Sequence, residues 1–342
     1  MSKKVAVVIL NWNGVDFLRK FIPILVQNTP SHVADIVVAD NGSSDNSLSY
    51  LSEEHPTVRT ICFDRNYGFT GGYNRAISQI DNQYSILLNS DIEVGAGWLE
   101  PLVNAMDASP KVGACMPKLR SYSNRETFEY AGAAGGYLDR YGYPFCRGRI
   151  LSTIENDLGQ YDSPTSVFWA TGACLMVRTN LYNSLGGLDS DFFAHMEEID
   201  FCWRLQHAGY RVVVEPSSIV YHVGGGTLPN DNPRKMYLNF RNSLLMLTKN
   251  LPSSMLFTTI FTRMVLDGVA GAAFLAKGKW GFFVAVLKAH RDFYRMLPTF
   301  LKKRKEIGLH QPEGFYRKSI IISYFVKGKK RFSDLNPSYF SK

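Results

Sequence analysis

Between residues 4 and 91, short apolar runs alternate with stretches of helical spacing. Residues 4–10 (Lys-Val-Ala-Val-Val-Ile-Leu) form a β-branched run that stops at Asn11, as a buried parallel strand would. Phe17, Leu18, Phe21 and Leu25 recur at helical spacing and predict a helix over 15–28. A second strand, 35–39, ends at Asp40 and the turn formers Asn41-Gly42-Ser43-Ser44-Asp45. The next helix is expected near Asp45, capped by Ser44 or Asp45. Residues 58–63 predict a third strand that ends before Asn66-Tyr67-Gly68, 72–81 a helix, and 84–88 a fourth strand that stops at Asn89-Ser90-Asp91. This alternation predicts an α/β, Rossmann-like architecture: a mostly parallel sheet flanked by helices. Ligands of such sheets sit at the carboxyl ends of the strands, where Asn11/Asn13, Asp40, Asn66 and Asn89/Asp91 all fall.

Farther on, 97–107 reads as a helix and 112–117 as a strand. Residues 120–165 are rich in Gly, Tyr and Ser and poorly periodic, so irregular hairpins or a mobile loop over a substrate are expected. A strand-like stretch, 166–177, contains Thr171-Gly172-Ala173. A Gly186-Gly187 turn precedes a helix from about Glu197 to Ala208, stopped by Gly209, and a strand over 210–215.

The charge is unevenly placed. The chain has 342 residues and a net charge of +8. Ser253–Lys342 carries 17 Lys/Arg against 5 Asp/Glu, so a near-neutral body bears a basic tail. Two units are expected: a catalytic one over 1–252 and an amphipathic, basic helical extension over 253–342. Leu256, Phe257, Ile260, Phe261, Trp280 and Phe283 interleave with Arg263, Lys277, Lys279 and Lys288, which suits helices lying in a membrane interface, with Trp280 and Phe283 inserted. A helical cap or a dimer surface is the plainer alternative. No uninterrupted apolar run of about 18 residues occurs, so a spanning helix is not expected, nor is a leader. Five scattered cysteines without a CxxC fit free thiols.

Four clusters can carry chemistry. Asn89-Ser90-Asp91 can offer oxygen ligands to a divalent cation, or form a turn and cap. Asp40 can accept a hydrogen bond from a base or ribose, or nucleate an Asx-turn. His195-Met196-Glu197-Glu198-Ile199-Asp200 places three carboxylates within four residues, and Glu197, Asp200 and Arg204 share one helical face. Helix capping and an Asp200–Arg204 ion pair are the competing reading. His222, followed by Gly224-Gly225-Gly226-Thr227, can ligate metal or meet phosphate. Lys235, Tyr237 and Arg241 can grip a diphosphate, or form a solvated face.

In this order the pieces resemble family 2 glycosyltransferases, and among them the bacterial rhamnosyltransferase-like group. The matching stretches are Val5–Asn13, Asp40–Asp45, Asn66-Tyr67-Gly68-Phe69 through Gly72 and Asn74, Leu88–Asp91, Thr171-Gly172-Ala173, Glu197–Asp200 with Trp203-Arg204, Gly209-Tyr210 and His222. The resemblance covers roughly residues 3–250. It implies a GT-A fold, a nucleoside-diphosphate sugar donor, Mg²⁺ or Mn²⁺, and inversion at the anomeric carbon. It implies that Asp40 contacts the nucleotide base, that Asp91 and His222 attend the metal, and that Glu198 is the base, with Glu197 as substitute. Asn11, Asn66, Gly68, Asn74, Asn89, Thr171, Gly172, Asp200, Arg204 and Arg241 complete the expected donor site. Asn89 departs from the family's double aspartate.

The expected acceptor is a glycan or lipid-linked hydroxyl in cell-surface polysaccharide synthesis, with rhamnose as the donor sugar by resemblance. The expected place is the cytoplasmic face of the cell membrane, held peripherally. Oligomeric state is left open. Two rivals remain: a nucleotidyltransferase, which would open on a basic phosphate loop that Asn11-Trp12-Asn13-Gly14 lacks, and a non-enzymatic nucleic-acid or membrane module. No nucleic-acid partner is expected.

Overall fold

The computed structural model describes residues 3–224, 232–305 and 312–341. The chain opens with β1 (Val5–Asn11), α1 (Val15–Asn28), β2 (Ala34–Asp40), α2 (Ser47–Glu54), β3 (Arg59–Cys62), α3 (Gly68–Ile77) and β4 (Tyr84–Asn89), close to the predicted alternation. There follow β5 (Ile92–Val94), α4 (Leu99–Asp107), β6 (Val112–Ser121), β7 (Gly136–Asp139), β8 (Pro144–Cys146), β9 (Arg149–Ile150), β10 (Thr153–Ile154) and β11 (Thr165–Val167). Then come β12 (Cys174–Arg178), α5 (Thr179–Ser184), α6 (Glu197–His207), β13 (Arg211–His222), α7 (Pro233–Asn250), α8 (Ser253–Ala276), α9 (Trp280–Arg304), β14 (Phe315–Tyr316) and α10 (Ile320–Phe325).

The central sheet runs β11-β13-β6-β12-β4-β1-β2-β3, with β5 against β13. The β4-β1-β2-β3 half is parallel, as expected. The other half is mixed, because β12 runs antiparallel to both β4 and β6, and β11 to β13. Val5–Ile9 and Ile86–Leu88 are buried, which matches strands covered on both faces. Register puts Asn11 beside Asp40 and Leu10 beside Asn89. Three strands therefore end together, and their polar residues line one edge.

Of the two expectations for 120–165, the structure has the irregular hairpins: β7–β8, β8–β9 and β9–β10 pair antiparallel. β10-β9-β8-β7-β14 form a second sheet, closed by a strand from the chain's far end. Phe128, Phe145 and Tyr161 are buried in it, and the buried Lys118 pairs with Asp157 (2.8 Å) and Asp162. Its strands are too short to register as periodic patterns. The strand-like 166–177 stretch likewise resolves into β11 and β12 around a turn at 171–173.

The tail is helical, as expected, and α9 packs along α7. By length and composition alone, α8, with 24 residues, is long and apolar enough to cross a membrane. Asp267, one of the charges that interrupt its apolar run, pairs with Arg263 on its buried face at 2.8 Å.

Candidate active site

A cavity of about 430 Å³ opens where the strands end. It lies between the β4–β5 turn (Asn89, Asp91), residues 128–131, Thr171-Gly172-Ala173, residues 194–198, the end of β13 (His222) and Lys235 of α7.

Asp91 and His222 meet because β13 pairs with β5, setting His222 beside Ile92. His222 Nε2 is 3.2 Å from Asp91 Oδ1, and its Nδ1 lies 3.4 Å from Glu129 Oε1. Burial favours the neutral ring, but the two carboxylates outweigh it and raise the imidazole to about 10. Oxygen and imidazole donors of this kind suit Mg²⁺ or Mn²⁺, which take one or two carboxylates and complete their shell with phosphate and water. Among the described residues no group of three or more His, Cys, Asp or Glu side chains forms a closed metal cage. An open cation site shared with a diphosphate is the fit these residues allow.

Glu197 and Glu198, at the start of α6, line the same cavity. They are aimed by an unusual backbone: Phe193, His195 and Met196 have φ of 68°, 68° and 74°, a region non-glycine residues rarely occupy. Met196 offers no side-chain cap, so the free amides and dipole of α6 are complemented by the acids. Burial raises both carboxyls: Glu198 to about 7, and Glu197 well above the ordinary range, helped by the charge of Glu198. Glu197 is buried, while Glu198 keeps partial exposure. One oxygen of each, together with His195 Nε2, has no hydrogen-bond partner. Three orphaned polar atoms around one cavity mark a site shaped for a ligand. Thr171 and Gly172 also line it. A Cβ on Gly172 would come within 3.3 Å of Phe69, so glycine keeps that part of the lining clear.

Asp40 and Asn11 sit at the same edge but outside this lining. Asn11 Nδ2 donates to Asp40 Oδ2 (3.0 Å), and Asp40 Oδ1 accepts from the Ser43 amide (2.9 Å). Two strand spacings, about 10 Å, separate β2 from β4, within the span of a nucleotide. Asn66 accepts from Asn41 Nδ2 (2.9 Å) and from the Gly68 amide (2.7 Å), shaping the turn into α3. Gly68 takes φ +71° there, and a Cβ on it would sit 3.6 Å from Phe193.

Four predicted donor residues are placed elsewhere. The Asn74 amide is taken up by Leu188 (2.7 and 2.9 Å) and Tyr182 (2.6 Å). Asp200 faces Arg204 (2.8 Å), Lys249 (2.9 Å) and Asn250 (2.8 Å) in a buried cluster, and Arg204 donates to the carbonyls of Leu185 and Gly187 (both 2.6 Å). Burial alone would raise the Asp200 carboxyl, but Lys249 and Arg204 prevail and hold it at about 2. Here the ion-pair reading is the correct one. Arg241 donates to the Phe192 carbonyl (3.0 Å), away from the cavity. Only Lys235 of the basic α7 pattern reaches the lining. Residues 225–227 of the glycine run after His222 lie outside the described residues.

Glu129, Phe69 and Ile154 also line the cavity, and sequence reasoning missed them. Glu129 and Ile154 lie in the aperiodic stretch, where no spacing flags them. Phe69 stands in the Asn66-Tyr67-Gly68-Phe69 stretch, which gave it no role of its own.

Comparison with known proteins gives this geometry its family. The model of glycosyl transferase family 2 matches residues 6–186, over half of the chain. N-acetylglucosaminyl-diphospho-decaprenol L-rhamnosyltransferase of Mycobacterium tuberculosis is 27% identical over 236 residues, 65% of this chain and 76% of the relative. The crystal structure of GalNAc-T7 with UDP, GalNAc and Mn²⁺ superposes with a TM-score of 0.58 at 18% identity, over 73% of this chain and 48% of that one. A mannosyltransferase from Pyrobaculum calidifontis, in complex with GDP-Man and Mn²⁺, gives 0.51 at 15% identity, over 90% and 87%. The chain belongs to glycosyl transferase family 2, as a nucleotide-sugar glycosyltransferase of the GT-A fold.

Proposed function

We propose that the enzyme transfers a sugar, with inversion, from a nucleoside-diphosphate donor to a hydroxyl of a lipid-linked glycan acceptor. The observation that carries this reading is one cavity lined together by Glu198, Asp91 and His222. Glu198, partly exposed and short of a hydrogen-bond partner, takes the proton of the acceptor hydroxyl as its oxygen attacks the anomeric carbon. Glu197 lies deeper beside it, where burial and the charge of Glu198 favour its neutral form. Asp91 and His222 would hold the divalent metal; when bound, it would supply Lewis-acid charge to the leaving diphosphate. Lys235 adds a cation to the same lining. Asn11 and Asp40 receive the base at the neighbouring strand ends. Residues 1–252 form the catalytic unit and 253–342 an extension that meets the membrane.

The rhamnosyltransferase relative, named for a diphospho-decaprenol acceptor, supports rhamnose as the sugar and a lipid-linked hydroxyl as its destination. A panel of dTDP-, UDP- and GDP-sugars, scanned by thermal unfolding with and without Mn²⁺, tests this. We expect dTDP-rhamnose to raise the melting temperature by roughly 5 °C at saturation, with Mn²⁺ required. Indifference to every nucleotide sugar in the presence of metal would contradict the reading.

A further inference from the structure

α8 is amphipathic in the reverse sense for a helix packed on protein. Its buried face carries Thr259, Arg263, Asp267 and Gly271. On the opposite face Phe257, Phe261, Val265 and Val269 recur every fourth residue and are exposed, Phe257 at 80%. Polar contacts fix the helix's rotation. Arg263 Nε donates to Asp267 Oδ1 (2.8 Å), and Arg263 Nη1 donates to the carbonyls of Tyr141 (3.1 Å) and Gly142 (3.2 Å). His290 of α9 faces Asp267 at 3.4 Å. Four large side chains are thereby held outwards on one stripe, the kind of surface that marks an interaction site.

α10 presents a second apolar group. Ile322, Phe325 and Val326 are exposed, the last two at 69% and 77%. Asp139 Oδ2 accepts the Ile320 amide at the start of α10, and Asp139 Oδ1 accepts the amides of Tyr141 and Tyr143. Both helices are therefore pinned to one turn, 139–143. Tyr324 of α10 is 2.8 Å from Thr153 Oγ1, and the next residue, Ile154, lines the active-site cavity. The apolar tip of α10 thus sits beside the cavity's lip.

Charge selects the occupant. Lys277 and Lys279, between α8 and α9, and Lys288 of α9 are exposed, Arg291 and Arg295 share Asp292, and Lys327, Lys329, Lys330 and Arg331 follow the α10 tip. Apolar side chains ringed by cations match an anionic lipid surface, each cation contributing about 1 kcal/mol near it. A second copy would bring the same cations against themselves. A spanning arrangement would strip α8 from the turn and from α9, baring the buried Arg263–Asp267 pair.

We propose that the outer face of α8 and the tip of α10 seat the protein on an anionic bilayer, with the lip of the cavity turned towards the lipid. A lipid-anchored acceptor then reaches Glu198 without leaving the membrane. The acceptor clause rests on the function proposed above; the docking itself requires neither donor nor transfer. The test is co-sedimentation of the full chain with phosphatidylcholine vesicles, with and without phosphatidylglycerol, in the absence of any sugar nucleotide. Binding is expected only to the anionic vesicles. The Phe257→Ser/Phe261→Ser and Phe325→Ser/Val326→Ser variants should each bind at least about tenfold more weakly, with unchanged circular dichroism because the side chains are exposed. Lys327→Glu/Lys329→Glu should remove the preference for phosphatidylglycerol. Wild-type protein left in the supernatant, or variants that sediment like it, would overturn the proposal. So would a lipid-free dimer that Phe257→Ser/Phe261→Ser dissociates, since a second copy would then cover the face. Transfer to a water-soluble acceptor is assayed separately: if it persists while vesicle binding is absent, docking falls and the enzymatic reading stands.

Discussion

At the scale of single residues, the environment of each carboxylate decides its role. Glu198 and Asp200 are two positions apart on one helix, yet burial raises the first to about 7 while Lys249 and Arg204 hold the second at about 2. A base must be unprotonated to accept the acceptor's proton. Transfer by kcat/KM should therefore fall about tenfold per pH unit below about 7 and level off above it. A profile already flat through the ordinary carboxylate range would remove Glu198 from the role. The strand-end residues Asn11, Asp40, Asn89 and Asp91 were legible, because a β-branched run that stops on a polar residue reports both the strand and its edge. Asp200, Arg204, Asn74 and Arg241 misled, because helical spacing reports which residues share a face and not what that face meets. Their partners, Lys249, Leu188 and Phe192, are far away in sequence.

Among the elements, the turn into α6 carries the most consequence. Its three positive-φ residues are each expected to cost about 1–3 kcal/mol, so something must hold them. Asn242 of α7 does so: its Nδ2 lies 2.8–2.9 Å from the carbonyls of Phe192, Ala194 and His195. Replacing Asn242 with Leu keeps the volume and leaves those carbonyls unmatched. We expect a loss of about 1–3 kcal/mol in stability, read by urea unfolding, and a fall in kcat larger than any change in donor affinity. Wild-type stability and turnover would show that the turn holds itself. This brace was not legible in the sequence. Asn242 stands in a basic helical pattern that pointed to phosphate, and nothing local signals that residues 193–196 turn left-handed. The second sheet escaped for a related reason: strands of two to four residues, one supplied by the chain's end, leave no periodicity to read.

For the molecule as a whole, the parallel half of the sheet sets the floor of the site, and β13 and α6 close it from later in the chain. The C-terminal segment does two things at once: β14 completes the second sheet, and α8 and α10 turn apolar side chains outwards. The uneven charge already indicated a tail with a separate contact, but which residues face outwards depends on the rotation of α8 set by Arg263 and Asp267. Everything functional converges on one cavity lined by Glu198, Asp91 and His222. The most direct measurement is single-turnover sugar transfer by Glu198→Gln, with donor binding and the melting temperature recorded on the same preparation. Its rate should be lower by about 10²–10⁴ with donor binding kept. A Glu198→Gln enzyme that turns over like the wild type would contradict Glu198 as the base.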